Sequence, residues 1–260
     1  MTDKNSFDQQ VVLITAAASG LGRGIAIDLA RHGATVHVWD RDAQALAEHS
    51  SDAKSENLAI STRAVDLSNE REVEQAFSAT IEQSSKIDVL INNAGGSLHT
   101  PFNFLKQSKE DWERVFNLNL MLTVKLTQLV IPLMIDRQYG RIINIGSKAG
   151  RYGSLFAGAN YVAAKGAIHA LTLQLAQEFG PQGITCNAIC PGAVMTPRVQ
   201  GLLKERQSDE QRQKVLNEIP VRRHGEVDDI ANTIAFLASP QSGFITGVLL
   251  DVNGGQAMST

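Results

Sequence analysis

The stretch that decides the fold is VVLITAAASGLGRGIAIDLARHG, residues 11–33. Its first five residues form a near-continuous apolar run, which predicts a buried strand. A glycine-containing turn then leads into a helix to about His32, and Gly33 stands where helices commonly end on a left-handed residue. A strand, a turn and a helix N-terminus in this order present free backbone N–H groups that suit a pyrophosphate. The literal G-x-G-x-x-G pattern does not fit, because Ile25 occupies its third glycine position, and packing alone also explains such a turn.

The alternation of strand and helix continues outward along the whole chain. Further strands are predicted at 34–40, 58–66, 87–92, 141–146, 184–190 and 245–252, with helices from about 43, at 69–84 with Ser68 as N-cap, from 108, at 160–178 and at 227–238. After Pro191 and Gly192, a polar segment to about residue 218 is predicted to be mobile. Apolar strands separated by helices imply an α/β fold of the doubly wound Rossmann type, with a parallel sheet of about seven strands covered by helices on both faces. Since no linker interrupts the pattern, we expect residues 1–260 to form a single domain.

Composition limits the classes of partner. The 260 residues carry a net charge of only −3, so binding to nucleic acid is not expected. The polar N-terminus lacks the layout of a secretory signal, and the apolar run at 129–135 is far shorter than the roughly 20 residues that span a bilayer. We therefore expect a cytoplasmic protein without a membrane partner. Cys186 and Cys190 lie in one predicted strand about 13 Å apart, too far to pair, and no metal site is expected.

Polar residues follow the predicted strands at the edge where such sheets bind ligands. Asp40 ends the second strand, 20 residues beyond Gly20, where a carboxylate accepts hydrogen bonds from an adenosine ribose. A carboxylate there repels a 2′-phosphate, so NAD is favoured over NADP, although the neighbouring Arg41 weakens the preference. Asp66 and residues 92–95 reach the same edge, and turn chemistry alone also explains them.

Tyr161 and Lys165 form the candidate chemical centre. Their i, i+4 spacing on a predicted helix puts the phenol and the ammonium on one face. A cation about 4 Å away lowers the pKa of a phenol by about three units, which makes it a usable base near neutral pH. Ser147 lies 14 residues earlier at the end of a strand, close enough for both hydroxyls to reach one substrate oxygen. Asn119, which lies between two leucines, is either a third member of this candidate site or satisfies a local backbone carbonyl. An amphipathic helix that happens to hold Tyr and Lys is the plainer alternative.

Taken in order along the chain, these motifs resemble the short-chain dehydrogenase/reductase family over nearly the whole length. By that resemblance Tyr161 is the general acid/base, Ser147 polarises the carbonyl, Lys165 tunes Tyr161 and holds the nicotinamide ribose, and Asn119 supports a water relay. The implied NAD site consists of Thr15, Ser19, Gly20, Leu21, Gly22, Asp40, Asp66, Leu67, Asn93, Ala94, Gly95, Tyr161, Lys165, Pro191, Gly192, Val194 and Thr196. One departure is Ala16, where the family has glycine, and it would weaken cofactor affinity if the backbone there requires a positive φ.

The family resemblance implies hydride transfer between NAD and a secondary alcohol or ketone. Ser147, Arg151, Tyr161, Arg198 and His99 are expected to border the substrate. Two arginines would grip a carboxylate, so we expect a small polar substrate such as a sugar or sugar acid, although solvated surface arginines are the alternative.

Assembly and two other functions are also predicted. The resemblance implies a homotetramer paired through the helices at 112–135 and 161–178, and the first of these helices is apolar on more than one face. An NADPH-dependent 3-oxoacyl reductase and a non-catalytic dinucleotide-sensing protein are the alternative functions. Asp40 argues against the first, and the retained Ser147, Tyr161 and Lys165 argue against the second.

Overall fold

The computed structural model describes residues 6–154, 156–206 and 208–258, with the backbone alone at Arg198, Leu202, Lys204, Arg206 and Asp209. The described residues form a seven-stranded sheet in the order β3-β2-β1-β4-β5-β6-β7, with every neighbouring pair parallel. The strands are β1 Val11–Thr15, β2 Thr35–Asp40, β3 Ile60–Ala64, β4 Val89–Asn92, β5 Gly140–Ile145, β6 Ile184–Pro191 and β7 Leu249–Val252. The prediction of a doubly wound parallel sheet is therefore confirmed.

Helices cover both faces of this sheet. They are α1 Gly20–Arg31, α2 Ala43–Ser55, α3 Glu70–Ser84, α4 Lys109–Phe116, α5 Leu122–Arg137, α6 Lys148–Tyr152, α7 Ala159–Phe179, α8 Pro197–Arg206, α9 Asp209–Glu218 and α10 Val227–Ala238, with a π-helical turn at Asn117–Met121 and short 3₁₀ turns at Phe104–Lys106, Gly180–Gln182 and Pro240–Ser242.

Two apolar layers hold the helices on the sheet. Ile14 packs with Ile25, Leu29 and Ile234 on the face that carries α1 and α10. Its neighbour Leu13 packs on the opposite face, in the layer that α5 contributes to. Successive side chains of a strand point to opposite faces, so a strand buried on both sides reads as a continuous apolar run. The strand order reverses between β1 and β4, which places the crevice of a doubly wound fold at their carboxyl ends.

The helical stretch Lys109–Arg137 is the one that passes a length and composition test for a membrane span within the described residues. Nearly half of its most apolar window, 44%, is buried inside the protein. Leu126, Val130 and Met134 are each fully buried in the layer beneath α5. A core helix of a globular domain has these properties, so the apolar character of the stretch is explained by packing on the sheet.

The structure corrects three local predictions. No helix was predicted between Gly192 and about residue 218, but this segment carries α8 and α9, and Val194 forms a bridge with Gly225. The N-cap of α3 is Asn69, whose side chain accepts two backbone N–H groups, because Ser68 instead donates its hydroxyl to Asp66. Strands β3 and β7 are shorter than the predicted 58–66 and 245–252.

Candidate active site

The turn between β1 and α1 leaves helix amides open. The side chain of Ser19 makes no capping hydrogen bond to α1, and the first turn of α1 holds no acidic residue, as far as the described residues show. Gly20 has φ +57°, and a Cβ on Gly22 would stand 2.7 Å from the carbonyl oxygen of Ala16. Uncapped amides beside a closely approached, glycine-lined backbone fit a pyrophosphate.

Ala16 itself adopts a left-handed backbone with φ +52°. A Cβ in this conformation costs roughly 1–2 kcal/mol for an L-residue. The departure from the family pattern is therefore a real strain in the first turn.

Asn93 and Thr15 brace this turn against the end of β4. The Asn93 amide donates to the carbonyl oxygens of Thr15 and Ala16, both at 2.9 Å. In return, the buried Thr15 hydroxyl accepts the backbone N–H groups of Asn93 and Ala94 at 3.2 and 3.0 Å. The two strands on either side of the crevice are thus locked together by groups that the sequence singled out.

Asp40 lies at the end of β2, beside the same turn. Its carboxylate accepts the backbone N–H of Ala18 at 3.0 Å and that of Asp42 at 3.1 Å. These bonds fix the carboxylate at the place where a ribose is held in this fold, with Arg41 exposed next to it. Asp66 is exposed at the end of the neighbouring strand, and hydrogen bonds from Ser68 lower its carboxyl pKa.

Asn119 sits in the π-helical turn and is buried, 1% exposed. Its side-chain oxygen accepts the Gly96 N–H at 3.0 Å, while its amide donates to the Gly96 carbonyl at 3.0 Å and to the Val115 carbonyl at 2.8 Å. The residue therefore clamps the loop after β4 onto the helix. A single-turn π bulge commonly marks a functional position, since it re-aims a side chain.

The loop after β5 carries Ser147 in extended conformation at the N-cap of α6. Its hydroxyl oxygen accepts the Ala149 N–H at 3.1 Å. Gly150 lies against α7 so closely that a Cβ there would stand 2.7 Å from the carbonyl carbon of Lys165. Ser147 is thereby brought next to the helix that holds Tyr161.

Tyr161 and Lys165 lie on one face of α7, with the ammonium 5.9 Å from the centre of the phenol ring. Lys165 is 3% exposed and donates to the Ile145 carbonyl at 2.7 Å. Burial lowers the pKa of this lysine to about 8, because the charged form is desolvated. A Cβ on Gly95 would stand 2.7 Å from the Asn119 side-chain oxygen and 2.9 Å from Lys165 Nζ. The groups that sequence reasoning assigned to chemistry therefore converge beyond the ends of β4 and β5.

The segment after β6 closes the other side of the crevice. The Gly192 N–H donates to the Val252 carbonyl at 3.1 Å, and Val194 is buried at 6% exposure. Thr196 faces the first turn, because a Cβ on Gly20 would stand 3.6 Å from its side chain. The turn after β1 and this segment thus lie close together, and the donors, glycines and carboxylate around them fit a dinucleotide.

Of the two arginines expected to bind a substrate carboxylate, the side chain of Arg151 lies within the described residues. Arg151 donates to Asp251 at 2.7 Å and to the Leu249 carbonyl at 2.7 Å, so its guanidinium is committed to β7. The side chain of Arg198 lies outside the described residues. His99 is exposed in the loop after β4, and it follows Leu98 in a turn where both residues have positive φ, 50° and 56°.

Sequence reasoning missed two features near the site. One is the left-handed Leu98–His99 turn, which is closed by the Thr100 N–H donating to the Ser97 carbonyl at 3.0 Å. Leucine and histidine rarely adopt this conformation, so the sequence contained no signal for it. The other is His169, buried on α7 beside Ser147. It lies four residues after Lys165, so the same i, i+4 rule that was applied to Tyr161 and Lys165 predicts it on the same helix face.

Known proteins are similar to this chain over nearly its whole length. A family described as enoyl-(acyl carrier protein) reductase matches residues 15–257. The 2,3-dihydroxy-2,3-dihydro-p-cumate dehydrogenase of Pseudomonas putida is 37% identical over 250 residues, covering 96% of this chain and 95% of that protein. The 3-oxoacyl-[acyl-carrier-protein] reductase of Staphylococcus epidermidis is 38% identical over 251 residues, covering 95% and 98%.

A solved Agrobacterium tumefaciens protein, provisionally described as a gluconate dehydrogenase, superposes with a TM-score of 0.92. It is 30% identical, and the match covers 99% of this chain and 100% of that one. Together with the fold and the arrangement around Tyr161, these likenesses identify the chain as a member of the short-chain dehydrogenase/reductase family, an oxidoreductase of the class that uses a nicotinamide cofactor.

Proposed function

We propose that this protein is an NAD-dependent dehydrogenase that oxidises a secondary alcohol of a small, polyhydroxylated substrate to a ketone. The observation that carries the proposal is the placement of Lys165, desolvated and 5.9 Å from the Tyr161 ring, on the helix against which the Ser147 loop packs. A merely structural lysine has no need of this costly burial.

In the proposed mechanism Tyr161 is the general base. When bound, NAD supplies the acceptor for the hydride that leaves the alcohol carbon. The phenolate of Tyr161 takes the hydroxyl proton, so one hydride and one proton leave the alcohol and a ketone remains. The Ser147 hydroxyl donates a hydrogen bond to the substrate oxygen, and the Lys165 ammonium stabilises the phenolate. By the family resemblance, Asn119 supports the water relay that carries the proton onward.

The preference for NAD rests on Asp40. Two backbone N–H groups hold its carboxylate in place at the ribose position, where it accepts from ribose hydroxyls and repels a 2′-phosphate. Arg41 is exposed beside it and is the group that would favour NADP.

The proposed substrate class is a sugar, a sugar acid or another vicinal diol. The named substrates of two similar proteins, a dihydroxy-dihydro-cumate and gluconate, carry neighbouring hydroxyls. Arg151 is paired with Asp251, so the proposal assigns recognition of the substrate hydroxyls to His99, Ser147 and Tyr161.

A matched substrate panel tests this function. Sugars, their sugar acids, cyclic cis-diols and simple secondary alcohols are offered with NAD and with NADP, and NADH or NADPH absorbance is followed. We expect turnover of polyhydroxylated substrates with a kcat/KM at least about tenfold higher for NAD than for NADP. Absence of oxidation across the panel, or a preference for NADP, would contradict the proposal.

A second candidate function is the NADPH-dependent reduction of 3-oxoacyl thioesters, favoured by the likeness to the Staphylococcus epidermidis reductase. Acetoacetyl-CoA with NADPH is the discriminating substrate pair, since Asp40 opposes its 2′-phosphate. A non-catalytic sensor, the third function, would bind NAD without turning over any member of the panel.

We also propose a homotetramer paired through α4–α5 and α7. The proposal is supported by two large apolar side chains, Met121 in the π-helical turn between α4 and α5 and Leu173 on α7, which are 51% and 45% exposed. Light scattering at several protein concentrations tests this assembly. A cytoplasmic location is part of the same proposal.

A further inference from the structure

His169 lies directly beneath the loop that carries Ser147. It follows Tyr161 and Lys165 at the same four-residue spacing on α7, so all three occupy one face of the helix. The imidazole is 5% exposed, and its Nε2 is 3.4 Å from the backbone nitrogen of Ser147 and 3.3 Å from the Sγ of Cys190. The mechanism proposed above makes no use of it.

Two glycines on either side of Ser147 make room for this ring. A Cβ on Gly146 would stand 2.5 Å from Nε2 of His169, and a Cβ on Gly150 would stand 2.9 Å from its Cε1. Real Cβ atoms do not come so close, so any larger residue at either position would displace the ring or the loop. The loop therefore packs closely against the imidazole.

The imidazole is neutral and presents a lone pair to the loop. Burial, with help from the charges of Arg151 and Lys165, lowers the pKa of His169 to about 4. Since Ser147 offers an N–H, the facing Nε2 must be the unprotonated nitrogen and Nδ1 must carry the proton. Burial raises the pKa of the Cys190 thiol to about 11, so this group stays protonated and is at most a weak donor to the same nitrogen.

We infer that His169 is a positioning residue, whose neutral imidazole accepts the Ser147 N–H and thereby sets the place of the Ser147 hydroxyl. The inference rests on the proposed function for the role of Ser147. Lys165 holds the same loop two residues earlier by donating to the Ile145 carbonyl at 2.7 Å. Successive turns of α7 thus bind the end of β5 at two points: the Lys165 ammonium donates to the Ile145 carbonyl, and the His169 imidazole accepts the Ser147 N–H. Misplacement of a reacting group by about 1 Å costs up to about 10²-fold in rate.

The test compares His169→Gln with His169→Met, which are nearly equal in size and differ in the acceptor. Hydrogen exchange, read by mass spectrometry on a peptide spanning residues 144–150, reports the Ser147 amide without any need for turnover. We expect exchange in this peptide to be about tenfold faster in His169→Met and close to wild type in His169→Gln. With an active substrate, kcat should fall about tenfold in His169→Met, with the KM for NAD within about twofold, and His169→Gln should recover most of the loss.

A double-mutant cycle separates positioning from packing. In a Ser147→Ala background, His169→Met should cause little further loss of kcat, because the group that it positions is already gone. Unchanged exchange in His169→Met would overturn the inference, and so would equal loss of kcat in both His169 variants or full additivity with Ser147→Ala. If His169→Met does not fold, a His169→Gln enzyme that is more than about tenfold slower would overturn it as well. Failure of the wild type to oxidise any alcohol would refute the proposed function, while the exchange result would still decide the contact between His169 and Ser147.

Discussion

Replacing Lys165 with methionine should make the protein more stable and inactive at once. The ammonium is 3% exposed and donates a hydrogen bond to the Ile145 carbonyl. Methionine has nearly the same length and shape, so it fills the same space without a charge. Turnover should collapse, because Tyr161 loses the cation that stabilises its phenolate.

The magnitude follows from the desolvation of the ammonium. Burial lowers its pKa from the ordinary value to about 8, and at about 1.36 kcal/mol per pH unit the native state is destabilised by about 3 kcal/mol while the lysine is charged. Loss of the bond to Ile145 offsets about 1–2 kcal/mol of the gain. Near neutral pH the variant should therefore be about 1–2 kcal/mol more stable than the wild type.

This advantage should shrink as the pH rises. The folded pKa of Lys165 is below the unfolded one, so between about pH 8 and about pH 10 the unfolded wild type binds more protons than the native state. The free energy of unfolding of the wild type therefore rises with pH over this window, whereas that of Lys165→Met lacks the contribution. Lys165 contacts His169 and Cys190 electrostatically, but the pKa of His169, about 4, lies below this window and that of Cys190, about 11, lies above it. Within the window the difference between the two curves therefore follows mainly from the loss of the Lys165 ammonium.

Urea unfolding without cofactor, followed by circular dichroism at a fixed protein concentration, measures the difference. Curves are collected at several values from about pH 6 to about pH 10. Lys54→Met is a matched control, because it makes the same substitution at a lysine that is exposed on α2. An equal difference between Lys165→Met and wild type at both ends of the range would refute the reasoning, since the ammonium would then be solvated in the folded protein.

Four further outcomes are expected. Tyr161→Phe should reduce kcat by about 10² to 10⁴-fold while calorimetry shows NAD binding retained; near-normal turnover would refute the mechanism. Asp40→Ala should narrow the ratio of kcat/KM for NAD over NADP by at least about tenfold, and an unchanged ratio would remove Asp40 from cofactor selection. Ala16→Gly relieves a left-handed backbone and should raise stability by about 0.5–1 kcal/mol, after the greater chain entropy of glycine is subtracted; a lower thermal midpoint would contradict this. Arg151→Ala breaks the ion pair with Asp251 and should destabilise by about 1–3 kcal/mol while changing KM for acid and neutral substrates alike, so a selective effect on acids would restore its role in substrate binding.

Much of the fold was predictable because its central strands, such as β1, β4 and β5, are buried on both faces. The continuous apolar run at 11–15 and its counterparts are typical of strands in a parallel sheet that is covered on both faces. The helices at 193–218 were not predicted because they are polar and show no apolar pattern. Such helices rely on caps such as Ser208, whose side chain accepts the Gln211 N–H. Long-range partners decide such a segment, as in the bridge between Val194 and Gly225.

The π-helical turn explains another ambiguity. The sequence left open whether Asn119 joins the site or satisfies a local carbonyl. In this turn its amide donates to the local Val115 carbonyl and also to the carbonyl of Gly96, 23 positions away. In the site, residue types and spacing indicated Tyr161, Lys165 and Ser147. The commitment of Arg151 to Asp251 was not predictable, since the two are 100 positions apart in the sequence.

The open N-terminus of α1 has a consequence for the life of the protein in a cell. Helices α2, α3, α4 and α9 each begin on a side chain that caps them, whereas α1 leaves its first amides for a ligand. A ligand that binds only the folded state stabilises it by about 2.7 kcal/mol at a hundredfold excess over its Kd. Proteases cleave the opened chain in proportion to its population when reclosing is fast. Degradation of the protein would then be slower when the cofactor is plentiful and faster when it is scarce. The amount of enzyme would therefore follow the supply of its own cofactor without a dedicated regulator.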